Sequence, residues 1–133
     1  MDLEALFRSS WYHPSLSQGL FDGPIRLYFH PKDEGLALRL YFRLVSELNT
    51  WRSSHPHWRW PEGQYFLVFL IPQGLGSETP QRLEFSWGRL TLLPLQEGAE
   101  TERSQFLTRE FYDELWRHSS PAAVLPVAEM SAI

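Results

Sequence analysis

Cysteine is absent from this chain of 133 residues. That single absence removes disulfides, Cys-ligated zinc, iron–sulfur clusters and thiol nucleophiles, and it fits a reducing compartment. Long hydrophobic runs are missing too. The longest, Tyr65 to Ile71, falls far short of the about 20 residues that span a bilayer as a helix. There is no basic excess: 12 Lys and Arg stand against 16 Asp and Glu, a formal charge of −4. The arginines are scattered among acids, whereas a nucleic-acid binder carries a basic footprint. The start, MDLEALFRSSWYHP, is acidic and amphipathic rather than basic and then apolar, so no secretory signal is expected. The reading is a cytoplasmic protein without membrane or nucleic-acid partners. No internal repeat or low-complexity tract interrupts the chain.

What is present suits a dense core. Hydrophobic residues make up 43% and aromatic residues 15%, with six Trp, nine Phe and five Tyr. Each ring buries on the order of 150–250 Å², so whole-chain disorder is excluded on composition. The length is that of one domain. We expect a short helix and a packed irregular arm over residues 1–24, an α+β core over 25–118 and a tail over 119–133.

Within the arm, residues 2–8 can form a short helix, and the Ser-, Gly- and Pro-rich stretch that follows reads as an irregular connection. Residues 25–30 (IRLYFH) alternate, with Ile25, Leu27 and Phe29 on one side and Arg26, Tyr28 and His30 on the other, which predicts a half-buried strand. Pro31 ends it, and Asp33 offers an N-cap for a helix running to about Trp51. The apolar arc of that helix, from Leu36 through Phe42 to Leu48, is wider than the roughly 100° of a surface helix. It therefore needs cover on two sides or a partner on one. Pro-punctuated residues 52–63 form a loop. The apolar run 65–71 predicts a strand buried on both faces and central in its sheet. Residues 82–87 alternate again; 88–95 either extend that strand or turn back as another. EGAETERS reads as a polar loop, and Ser104 caps a second helix from Gln105 to about His118. The tail can add a strand at Val124–Val127.

These elements predict an α+β fold: a mixed sheet of about four strands with two main helices on one face, in the order β-α-β-β(-β)-α. The expected neighbours of 65–71 are 25–30, in parallel through a helical crossover, and 82–87, antiparallel. The alternative is a ferredoxin-like βαββαβ sandwich, which would leave the apolar strand 65–71 at a sticky edge.

Candidate chemistry is sparse. His55-Pro56-His57 is a close His pair, but a metal site needs further ligands that His13, His30, Asp33 or Glu62 would supply only from a distance, so it reads as a solvated loop. Ser and His residues stand in no nucleophile-elbow context. Gly74-Leu75-Gly76-Ser77 follows a strand but lacks the Lys, the spacing and the helix of a phosphate loop. Glu110, Asp113 and Glu114 share a helical face with Arg109 and Arg117 flanking it, which reads as a solvated face with modest ion pairs. No catalytic residue, metal ligand or cofactor is assigned.

Trp58-Arg59-Trp60 is the most unusual feature. In an extended segment both indoles would lie on one side and Arg59 on the other, either roofing the core near Trp51 or serving as interface anchors. Trp51, Arg52, Trp58, Arg59 and Trp60 form the candidate partner-binding set. Arg26, Tyr28 and His30 form a candidate pocket or sheet-face set. The functional expectation is a non-catalytic adaptor or regulatory protein that binds another protein or a second copy of itself. One alternative is a small-molecule sensor with a pocket lined by Tyr41, Phe66 and Phe85; another is an enzyme joining His30 or His57 to a carboxylate from a distant segment.

Overall fold

The computed structural model describes residues 16, 18–74 and 78–119. The expected helix at 2–8 and the tail strand at Val124–Val127 lie outside the described residues. Strand β2 (Ile25–Phe29) follows its alternation, burying Ile25, Leu27 and Phe29. Before it lies a strand that the Gly- and Pro-rich sequence conceals, β1 (Gln18–Asp22), paired antiparallel with β2. Gly23 at φ +58 and Pro24 make the two-residue turn. Glycine first in such a turn matches the twist of the flanking strands, so the punctuation that reads as loop is a hairpin.

Strand β3 (Tyr65–Ile71) is buried on both faces, with Phe66, Val68 and Leu70 on one and Leu67 and Phe69 on the other. It lies at the centre of the sheet, parallel to β2, as its composition requires. Its other neighbour is not 82–87. β4 (Gln81–Phe85) and β5 (Gly88–Pro94) form a hairpin whose second strand inserts beside β3 in parallel, displacing β4 to the edge. The order is β1-β2-β3-β5-β4. With β3 central, the ferredoxin-like alternative is ruled out. The physical reason for the skipped place is composition. β5 is buried along nearly its whole length, whereas β4 carries Gln81, Arg82 and Glu84 in exposed positions.

Two helices cover one face. α1 (Glu34–Ser54) crosses from β2 to β3. A 3₁₀ turn at Pro31–Asp33 leads into it, and the His30 Nδ1 accepts from the Lys32 N–H at 3.0 Å. Asp33 occupies the N-cap position without a side-chain cap bond. α2 (Glu100–Ser119) begins four residues before Ser104. Glu100 and Glu102 in its first turn favour a helix N-terminus through the dipole, a signal outweighed in the sequence by the polarity of the segment. Arg103 anchors that turn by donating to the carbonyls of Pro94 at 2.7 Å and Glu78 at 3.0 Å. Leu40, Leu44, Leu48, Leu107, Phe111 and Leu115 pack on Phe66, Val68 and Leu70 to make the main core. On the opposite face, Leu67, Phe69, Trp87 and Leu90 form a second cluster that includes Leu16, 1% exposed. Among the described residues no helix is long and apolar enough to cross a membrane.

The β4–β5 turn brings two backbones into close contact. Gly88 sits at φ +133, and a Cβ there would come within 2.1 Å of the Tyr65 carbonyl oxygen. Gly88→Ala should therefore cost about 2–6 kcal/mol, from about 1–3 of backbone strain plus about 1–3 of overpacking. A urea midpoint within error of wild type would refute this account of the β3–β5 junction.

Candidate interaction surface

The candidate tryptophans converge where the two helices end. Trp51, in the last turn of α1, is buried. Its indole stacks on His55 at 3.9 Å and meets Trp116 edge-on at 5.1 Å and Trp58 at 6.1 Å. Trp60 stacks over Phe111 at 6.0 Å, and its Nε1 donates to the Gln64 carbonyl at 2.8 Å. Trp58 and Trp60 thus pack against the core as a roof, while Arg59 points outward and donates to the carbonyls of Pro56 and Trp58. Of this group Trp116 is exposed, at 61%. No motif marks it in the sequence, because its exposure depends on where α2 meets α1. His55 Nδ1 lies 3.0 Å from the Trp51 carbonyl oxygen, and His57 is exposed. Among the described residues no group of three or more His, Asp or Glu side chains is placed to hold a metal ion.

The sheet-face set is only partly brought together. Arg26 and Tyr28 share the face away from the helices. The Arg26 guanidinium lies 4.6 Å from the centre of the Tyr65 ring and 5.6 Å from that of Phe21. Tyr28 meets Phe21 and Phe69 edge-on at 5.2 and 5.6 Å. His30 leaves this row to cap the 3₁₀ turn. Tyr41 and Phe66 pack on the helix side of the sheet while Phe85 lies on the other, so the three line no common pocket.

The acidic face of α2 is only partly solvated: Asp113 is exposed, but Glu110 is mostly covered. Glu114 is fully buried, and Arg89 on β5, 2% exposed, reaches across to it. The Arg89 guanidinium donates to the Glu110 carbonyl at 3.0 Å, to Asp113 at 3.0 Å and to Glu84 at 3.2 Å. Its Nη2 stands 3.8 Å from the Glu114 carboxylate, with Arg117 at 3.4 Å and His118 at 3.7 Å. Arg82 closes the outer side on Asp113 and Glu110. Burial alone would push the Glu114 pKa up, but His118, Arg89 and Arg117 outweigh it and hold that carboxyl below its ordinary range. His118 is thus the histidine that stands beside a buried carboxylate, not His30 or His57. An open groove of about 450 Å³ lies next to it, lined by Pro61, Gln64, Phe85, Ser86, Arg117 and His118. The charges of this cluster face one another, which makes it a clamp between α2 and the β4–β5 hairpin.

The remaining side of the molecule carries apolar groups without partners of this kind. α1 has two flanks. Arg39 and Glu47 face α2, through Glu100 at 2.7 Å and through the Tyr112 hydroxyl. On the other flank Val45, Asn49 and Arg52 border a small groove against Gly23 and Pro24 of the β1–β2 turn. Leu38, Phe42, Val45 and Asn49 follow one arc at i, i+4, i+7 and i+11. Phe42 is 62% exposed on that arc, and Phe21 on β1 is 56% exposed. Arg52, of the candidate set, borders this side too. Among the described residues no strand pairs with the outer edge of β1.

Comparison with known proteins brings no relative: no family model matches the chain, and neither a curated protein nor a solved structure is similar to it.

Two predictions follow from the clamp. Arg89→Met removes a counter-charge from the buried Glu114 carboxylate and should cost about 3–5 kcal/mol. Adding Glu114→Leu should cost less than the sum of the two single changes, and additivity in this double-mutant cycle would sink the coupling. Because Glu114 binds its proton less readily in the folded chain, its contribution to stability is complete above the ordinary Glu value of about 4.3. That contribution is lost as the pH falls through that value toward the lower folded one. The stability difference between wild type and Glu114→Gln should shrink as the pH is lowered from about 5 to about 3; a constant difference in urea titrations would contradict it.

Proposed function

We propose that the protein is a small, non-catalytic binding protein of the cytoplasm, and that it takes another protein chain along the side formed by β1 and the outward arc of α1. The observation that carries this reading is the combination of a strand edge that no described residue pairs with and the exposed Phe21 and Phe42 beside it. Folded proteins normally defend a free edge with charge, proline or a bulge. β4, the other edge, does so: Pro80 precedes it, and Arg82 and Glu84 lie along it in ion pairs with α2. β1 reads QGLFD and carries charge only at its last residue. Aromatic side chains are frequent anchors of interfaces. The tryptophans at the helix ends have less support as anchors, since Trp51, Trp58 and Trp60 roof the core. A sensor pocket has less still, with Tyr41 and Phe85 on opposite sides of the sheet.

A photo-crosslinking residue placed at 21 or at 42 in the producing cells should form covalent adducts with protein, while the same residue at the exposed position 105 of α2 should form few. Equal yields at all three positions, or none, would refute this placement of the binding side.

A further inference from the structure

We infer that the chain on this side is a second copy of the protein, paired antiparallel through β1 about a two-fold axis at Leu20. The inference rests on the proposed binding side and names its occupant. It starts from the direction of the peptide groups. The Pro24 carbonyl accepts from the Phe66 N–H at 2.8 Å, so residues 24, 26 and 28 aim their peptide groups at β3, and 25, 27 and 29 aim theirs at β1. The register pairs Leu20 with Leu27 and Asp22 with Ile25. Gly19 and Phe21 are therefore the β1 residues whose N–H and C=O groups point outward.

A two-fold axis at Leu20 makes that edge complementary to itself. Gly19 of each copy faces Phe21 of the other, and both pairs exchange two hydrogen bonds. The Phe21 ring lies over its own Gly19, where a Cβ would come within 2.5 Å of it. In the pairing, the glycine opposite leaves room for that ring, and the two rings become diagonal neighbours within aromatic reach. Charge agrees with this register. Asp22, the sole charged residue of the strand, falls opposite the neutral Gln18 of the other copy, so no like charges meet.

The helices fit as well. α1 packs over β2, one strand inboard of the edge. With strands about 4.8 Å apart, the axis lies about 7 Å from β2, and the two α1 helices come to about 14 Å from each other. That is wider than the 8–10 Å of directly packed helices, and the gap is one that Leu38, Phe42 and Val45 from each copy would fill. At about 150–250 Å² per ring, exposures of 56% and 62% for Phe21 and Phe42 leave roughly 180–300 Å² of aromatic surface in water. A stable interface takes about 800 Å² per partner, and the strand edge, Leu20, Leu38 and Val45 add to these two rings.

The test uses the full chain in light scattering across a concentration series, together with two variants. The expected mass is twice the 15.6 kDa of the monomer. Phe21→Glu keeps a partner for Arg26 within the chain but sets two carboxylates diagonally across the axis, and it should shift the dissociation constant upward by at least tenfold. Leu20→Cys introduces the sole thiol of a cysteine-free chain. In this register the two thiols form a non-hydrogen-bonded pair with Cα atoms about 4.5 Å apart, within disulfide range. Mild oxidation should link it far faster than a Gln81→Cys control on the β4 edge. A monomer at every concentration overturns the second copy, and the crosslinks from 21 and 42 then judge the binding side separately. A dimer that survives Phe21→Glu, or one in which Leu20→Cys links no faster than Gln81→Cys, overturns the pairing. Should Phe21→Glu fail to fold, the cysteine comparison still decides.

Discussion

A strand such as β3 has no polar side to turn to water. Seven successive apolar residues must be covered above and below, and both edges must be paired, since an open apolar edge invites aggregation. Parallel pairing with β2 through α1 supplies one edge and one face together, because the crossover helix must lie on the sheet it bridges. The other edge needs a strand equally free of charge along the contact, and β5 meets that condition better than β4 does. The hairpin therefore inserts its second strand next to β3 and leaves the first outside. Sheet order, the placing of both helices on one side and the close approach at Gly88 all follow from the demands of this one segment.

The same insertion creates an electrostatic problem and resolves it. Arg89, the second residue of β5, stands directly opposite Phe66 and points at the helix layer. A lone buried guanidinium would be expensive, so α2 has to present acceptors there. It does so with Glu110, Asp113 and Glu114, while Glu84 approaches from the neighbouring strand. Apolar packing between α1 and the sheet tolerates small shifts in register. The bonds from Arg89 to a specific carbonyl and specific carboxylates do not, so they fix where α2 meets β5.

Much of this architecture can be read from the chain because it rests on local periodicity. The alternation at 25–29, the unbroken run at 65–71 and the wide arc of α1 each reflect a neighbour's demand on one segment. β1 escapes such reading because its five residues hold a single apolar residue on the helix side, Leu20, between glycines that ordinarily signal loops. The clamp escapes for a different reason. Acids at i, i+3 and i+4 look the same whether they face water or an arginine 21 to 25 residues away in sequence, and only the skipped place in the sheet brings Arg89 beneath them. For the candidate surface, the surplus apolar arc was visible while its location was not. Phe42 lies among many apolar neighbours in the sequence, and the position of α2 decides which of them remain uncovered.

The two edges of the sheet consequently differ in kind. At β4, charge serves twice: Arg82 and Glu84 hold α2 through ion pairs and deter strand pairing from outside. Had α2 reached across to cover α1 fully, Phe42 would be buried, but Arg89 would then lose its acceptors. The clamp draws α2 toward β4–β5 and away from β1, so among the described residues the uncovered arc of α1 and the unpaired edge of β1 lie on the same side. An apolar helix flank standing above an open strand edge is the geometry in which a continuous sheet between two chains buries most with least rearrangement. It is the balance of the whole fold, and not Phe21 and Phe42 alone, that leaves this side of α1 and β1 uncovered among the described residues.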